Sequence, residues 1–99
     1  MHLISIGNLK EASASYPNVE KVIENLYTKV ENSTWQNLLD VQEDYRDAEA
    51  VGNFTVFNIK GNKYRLIVGI NYGKQVVYFK YFLTHAEYNK DHWKNDPYY

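Results

Sequence analysis

Between positions 19 and 30 the apolar side chains fall at Val19, Val22, Ile23, Leu26, Tyr27 and Val30. That i, i+3, i+4, i+7 spacing predicts an amphipathic helix with Glu20, Lys21, Glu24 and Lys29 outside the stripe. Asn8 to Ser15 reads as an earlier helix, which Pro17 ends before opening the next. His2 to Ile6 is short and apolar and predicts an edge or neighbouring strand. Ser33 and Gln36 have capping-box spacing, so a short third helix is expected to carry Trp35, Leu38, Leu39 and Gln42, with Trp35 as a packing anchor. Asp40 to Glu49 is acidic and weakly apolar, the pattern of a solvated loop or frayed helix end.

After Val56 the period drops to two. Lys60-Gly61-Asn62-Lys63 is a two-residue turn between strand formers, with Gly61 supplying the positive φ of a type II′ turn. Its register pairs Ile59 with Tyr64, Asn58 with Arg65, Phe57 with Leu66 and Val56 with Ile67. A second turn at Gly73-Lys74 pairs Gly69 with Tyr78, Ile67 with Lys80 and Arg65 with Phe82. Alternation then assigns Phe57, Ile59, Tyr64, Leu66, Val68, Ile70, Val77, Phe79, Tyr81 and Leu83 to a core face. Asn58, Lys60, Lys63, Arg65, Tyr78, Lys80 and Phe82 fall on the other. Thr84 and Glu87 form a further capping box, predicting a helix with His85 in its first turn and Tyr88 one turn on. His92 to Tyr99 reads as a tail that Pro97 keeps from being helical. The fold class is α+β: helices 1–52 on a mainly antiparallel sheet of three to four strands within 53–83, then a short helix at 84–91 and the tail at 92–99. At 99 residues this is one domain.

Charge sharpens the division. The net charge is −1, yet nine of the twelve acidic residues precede position 53, and Asn53 to Ala86 holds none while carrying Lys60, Lys63, Arg65, Lys74 and Lys80. Cations gathered across strands repel one another, which a fold tolerates where they meet an anion. A wet sheet face with scattered lysines is the plainer explanation. A helix N-terminus favours anions and disfavours an imidazolium, which suits a neutral His85 beside a phosphate. The chain has no cysteine, which excludes disulfides, thiolate metal sites and thiol catalysis. The carboxylates of Asp40 to Glu49 lack a metal-site pattern. MHLISIG is too short for a signal peptide and no apolar run nears the ~20 residues of a membrane span, so a soluble cytoplasmic protein is expected.

VFNIKGNKYRL (56–66) followed by FKYFLTHAEYNK (79–90) resembles the HigB family of type II toxins, within the RelE-like mRNA interferase superfamily. The opening MHLISIGNLKEA, Tyr16-Pro17 and Trp35 extend the resemblance over nearly the whole chain. It implies a compact α+β domain that cleaves mRNA, directed by sequence or dependent on the ribosome, and that a partner antitoxin with a helix-turn-helix domain neutralises. One departure is Asn89, where the family often has Asp after the EY pair.

Cleavage by 2′-hydroxyl attack needs a base, an acid and positive charge around the phosphorane, and needs no metal or other cofactor. Arg65 suits a bidentate grip on phosphate. Lys60 and Lys80 would neutralise developing charge. His85 is the candidate acid or base, and Tyr88 a donor or orienting group. The resemblance supports Arg65, Lys80, His85 and Tyr88 in these roles. Asn58 would hold Arg65 or the RNA, Lys63 would steer the backbone, and Tyr78 and Phe82 offer stacking surfaces beside the cations. Tyr98 and Tyr99 are either disordered or laid against RNA. The same face would alternatively serve a non-catalytic RNA-binding module or a dock for an acidic protein. An acidic half that repels ribosomal RNA would make the basic half dock first.

Overall fold

The computed structural model describes all 99 residues, Met1–Tyr99. In chain order the elements are β1 (His2–Ile4), α1 (Ile6–Ser13), α2 (Glu20–Glu31), α3 (Leu38–Asp44), β2 (Glu49–Val51), β3 (Phe54–Ile59), β4 (Tyr64–Asn71), β5 (Val76–Thr84) and α4 (His85–Asn89), with a final 3-10 turn at His92–Asn95. The fold is α+β. Its sheet has five strands rather than three to four, in the order β1-β5-β4-β3-β2. Only β1 is parallel to its neighbour, β5.

The amphipathic stripe of α2 buries Val19, Ile23, Leu26 and Val30 against one side of this sheet, together with Leu9, Trp35, Val41, Phe57, Leu66, Val68 and Val77. Trp35 is the anchor its position suggests: its ring stacks toward Phe57 and its Nε1 donates to Asp44 Oδ2 at 2.9 Å. The start of α3 differs from the expected capping box. Asn37, not Ser33, is the N-cap, its Oδ1 accepting from the Asp40 amide at 3.0 Å. The Ser33 hydroxyl instead donates back to the Lys29 carbonyl at the end of α2. Leu39 stays exposed.

The acidic stretch Asp40 to Glu49, read as a solvated loop or frayed helix end, begins inside α3 and ends on the first residue of β2. Glu49 pairs with Val56 and Val51 with Phe54 across a turn at Gly52-Asn53. Gly52 has φ +60, and a Cβ there would lie 2.8 Å from Cε1 of Tyr99. Left-handed backbone and a ring overhead both demand glycine. Gly52→Ala is expected to cost about 1–2 kcal/mol from backbone strain alone. In a domain of this size that lowers Tm by roughly 5–10 °C, readable in a circular-dichroism melt. An unchanged melt would mean that the turn relaxes freely.

The first hairpin has the expected register, Asn58 opposite Arg65 and Ile59 opposite Tyr64. The second does not. Val68 pairs with Phe79 but Ile67 with Tyr81, so Lys80 is the extra residue of a β-bulge. Every residue beyond it changes sides. Arg65 faces Leu83 rather than Phe82. Tyr81 and Leu83 leave the helix-side core, and Phe82 enters it, 6% exposed.

The far side of the sheet is also not wet. Phe54, Val56 and Ile67 are buried there with Trp93, and Val51, Tyr81, Leu83, Tyr88 and Tyr99 pack around them. The segment read as a tail supplies the cover. Trp93 is 4% exposed, Tyr81 donates its hydroxyl to Asp96 Oδ2 at 2.8 Å, and Asn53 Nδ2 donates to the Tyr99 carbonyl at 3.2 Å.

Candidate active site

The site is built where the first hairpin turn meets the start of α4. Thr84 ends β5 and caps α4 as the spacing predicts: its Oγ1 accepts from the Glu87 amide at 3.2 Å, and Glu87 Oε1 accepts from the Thr84 amide at 2.9 Å. The bonds its carboxylate accepts from the Thr84 amide and hydroxyl hold Glu87 below its usual range, the backbone bond contributing most. The His85 amide donates to the Lys63 carbonyl at 3.0 Å, tying the first turn of α4 to the hairpin. That tie sets the imidazole beside Arg65.

Arg65 is only 7% exposed. Its Nη2 donates to Asn62 Oδ1 at 2.9 Å and lies 3.1 Å from His85 Nδ1, while Nη1 donates to the Tyr64 carbonyl at 3.2 Å. A guanidinium has no lone pair, so Nδ1 is the acceptor and the His85 ring carries its proton on Nε2. The guanidinium carbon lies 5.5 Å from the centroid of the Tyr88 ring. Tyr88 in turn stacks on Trp93 at 5.1 Å and 15°, and its carbonyl accepts from Trp93 Nε1 at 3.0 Å. Burial raises the Tyr88 hydroxyl above its ordinary pKa, Glu49 adds to the shift, and Arg65 opposes it. The phenol is therefore a donor at neutral pH.

Three ion pairs occur in the molecule, His2–Glu31, Lys29–Asp44 and Lys94–Asp91. None includes Arg65. A nearly buried cation whose partners are all neutral keeps its charge uncompensated, and two of its five N–H donors remain unused. An arriving anion gains from both.

Arg65, His85 and Tyr88 thus come together as a stack with one shared hydrogen bond. Asn58 sits half-buried on the strand opposite Arg65, and Lys60 and Lys63 are exposed on the turn at the rim. Lys60 itself adopts φ +52. Lys80 does not join them. The bulge leaves it on this side of the sheet but at the other end, its Nζ 4.5 Å from the Tyr98 ring centroid and 5.7 Å from that of Phe54. Tyr78, 40% exposed, is at that end too. Phe82 is removed altogether: on the opposite side it packs against Tyr64 at 5.4 Å and Tyr16 at 5.6 Å, so it offers RNA no surface.

Several residues of the site carry no signal of their own in the sequence. Asn62 looks like a turn former and also fixes Arg65. Trp93 sits in an apparent tail. Glu49 reaches the site only because β2 exists. Tyr16 does have a cue in Tyr16-Pro17: its ring packs tilted against Tyr64 at 4.9 Å and faces Glu87, whose charge, after burial, raises its pKa. No group of three or more His, Cys, Asp or Glu residues is arranged to hold a metal. No helix is long and apolar enough to cross a membrane.

Comparison with known proteins gives the family. The chain shares 25% identity over 93 residues with an mRNA interferase HigB of Escherichia coli O6:H1, an alignment spanning 91% of this chain and 90% of that protein. Residues 10–91 match the family model described as HigB_toxin, RelE-like toxic component of a toxin-antitoxin system. With that match running from α1 through α4, the chain belongs to the HigB toxin family.

Proposed function

We propose that the protein is an endoribonuclease that cleaves mRNA, the activity named for its Escherichia coli relative, and that Arg65, His85 and Tyr88 carry it. The observation behind this is the buried, unpaired Arg65 guanidinium 3.1 Å from the His85 imidazole. Such a pair is poised for a phosphodiester. Arg65 binds the scissile phosphate and stabilises the charge that builds on it as the 2′-hydroxyl attacks. When the guanidinium turns toward phosphate it releases His85 Nδ1. The imidazole is then free to accept the 2′-hydroxyl proton and return a proton to the departing 5′-oxygen. Tyr88, protonated, donates to a phosphate oxygen and keeps Arg65 over its ring. Lys60 and Lys63 attract the backbone from the rim, and Asn58 steadies Arg65. This chemistry proceeds through side chains alone. Lys80 and Tyr78 lie too far along the sheet to share in it.

The translating ribosome supplies the substrate in this reading. With no acidic residue between Asn53 and Ala86, the protein acts basic side first. Purified protein that cut naked mRNA as fast without ribosomes would overturn that part. Its partner in the cell is a HigA-like helix-turn-helix antitoxin.

The test is induced expression in bacteria with RNA 5′ ends mapped afterwards. Wild type should arrest growth and create new ends inside messages. His85→Gln should slow cleavage about 10²–10⁴-fold, the usual contribution of a general acid–base, while binding RNA as before. If His85→Gln cleaves like wild type, the imidazole has no role. If wild type makes no ends, a binding module on the same face is the better description.

A further inference from the structure

The displaced Lys80 leaves a second feature on this side of the sheet. A cleft of about 390 Å³ opens there, lined by Phe54, Gly69, Tyr78, Lys80 and Tyr98, with Asn53 and Asn71 supplying polar wall. It lies about 13 Å along β4 from Arg65, the span of four residues in an extended strand. Three observations concern what it holds. Tyr98, 70% exposed, and Tyr78 are the large aromatic side chains most open to solvent, and they share this one cleft. Lys80 has no ion-pair partner; its ammonium rests over the Tyr98 ring, and the Asp96 carboxyl, held below its usual range mainly by bonds from the Tyr98 amide and the Tyr81 hydroxyl, also feels its charge. Gly69 sits in the strand interior, where glycine weakens a sheet, yet a Cβ there would meet nothing within 4 Å. Packing does not require glycine at this position. Its missing side chain keeps the cleft open.

Polar groups remain available on the walls. Asn71 Oδ1 accepts from the Lys74 amide, which leaves its Nδ2 to donate, and Asn53 Nδ2 donates to Tyr99, which leaves its Oδ1 to accept. An aromatic wall, a free donor, a free acceptor and a cation together match an unstacked nucleobase and its phosphate.

We propose that this cleft is a nucleobase subsite that takes one base of single-stranded RNA flanking the cleaved bond, with Lys80 on a neighbouring phosphate. The proposal rests on the ribonuclease reading of the Arg65 site and deepens it. Arg65 and His85 act on the bond, while the cleft sets which stretch of RNA is held across the sheet. Lys80 binds rather than catalyses.

The experiment measures fluorescence anisotropy of 2′-O-methyl RNA, which resists 2′-hydroxyl cleavage, as a dinucleotide and as an octanucleotide, on the purified protein. Wild type should bind the octanucleotide about tenfold or more tighter than the dinucleotide, the value of one stacked base. Tyr98→Ala should erase that advantage. So should Gly69→Val, which fills the cleft with a good strand former and should leave Tm unchanged or raised, so that misfolding cannot explain the loss. Lys80→Gln should flatten the salt dependence of octanucleotide binding by about 0.7 in log–log slope. Octanucleotide affinity unchanged in all three variants overturns the subsite. If Arg65→Ala alone weakens both oligomers, the Arg65 reading stands without it. If wild type binds neither oligomer, the subsite fails, while the ribonuclease reading stands or falls on the RNA 5′ ends mapped after induction. A mononucleotide that binds as tightly as the octanucleotide overturns the proposal in favour of a free-nucleotide site. Variants that keep RNA affinity but escape a co-expressed antitoxin assign the cleft to a protein.

Discussion

Arg65→Lys should leave a folded protein that has lost about 10²–10³-fold in mRNA cleavage, the effect of removing a donor aimed at developing charge. The substitution keeps the positive charge, so charge alone does not explain the loss. Arg65 satisfies three acceptors at once, Asn62 Oδ1, the Tyr64 carbonyl and His85 Nδ1, from a plane that also lies over Tyr88. A lysine ammonium is a point charge on a flexible stem and cannot hold that fork or that stack. His85 Nδ1 then loses the donor that selects its tautomer, and the ring is free to turn. The measurement is single-turnover cleavage of a ribosome-bound message, alongside a thermal melt. Lysine also removes a buried planar group from a packed stack, so a modest fall in Tm is expected, well short of unfolding. A rate within about threefold of wild type would show that the site uses only the charge. Arg65→Ala is a poorer probe, since it leaves Asn62 and a buried cavity unfilled.

The contrast between what the chain announces and what it conceals follows from this site. The Arg65–Asn58 pairing, α2 and the Thr84–Glu87 box are local: a two-residue turn, a period of 3.6 and a fixed spacing each determine them. His85 and Tyr88 could therefore be placed beside Arg65 from the sequence. The bulge at Lys80 could not. Val76 to Leu83 is apolar on both faces apart from Lys80, so alternation carries no register there, and an inserted residue leaves no trace in the pattern. That one residue moved Phe82 into the helix-side core and Lys80 away from Arg65. β2 had a readable signal that the acidity of the preceding residues masked: Gly52-Asn53 between Val51 and Phe54 has the hairpin form of Gly61-Asn62. The covered second face also had one. Leu66-Ile67-Val68 is an unbroken apolar run in a central strand, which implies packing on both sides. Its cover, Trp93 and Tyr99, is held by contacts remote in sequence, with β3 and the Gly52 turn, which no local rule reports.

Trp93→Ala should be among the most destabilising single changes in the chain, and it should inactivate without touching RNA. Removing a buried tryptophan side chain costs about 3–5 kcal/mol, a large share of the 5–15 kcal/mol that holds a domain together. Trp93 fills the space over Phe54, Val56 and Ile67, and Tyr99 packs edge-on against it at 5.5 Å. It also supports Tyr88 by stacking and by the bond from Nε1 to the Tyr88 carbonyl. α4 has five residues, too few to be helical without such support. The fifteen-residue core on the other side of the sheet does not include Trp93, so the loss should begin locally. Hydrogen exchange is expected to quicken in α4 and the C-terminal segment before β3 and β4 are affected, while Tm falls by more than about 10 °C. Trp93→Phe keeps an aromatic ring under Tyr88 but loses the indole bond, and should fall between wild type and alanine in both stability and cleavage. If Trp93→Ala instead exchanges and cleaves like wild type, the Arg65–His85 pair is positioned by the hairpin and the Thr84 cap alone. The C-terminal segment would then be dispensable for the reaction.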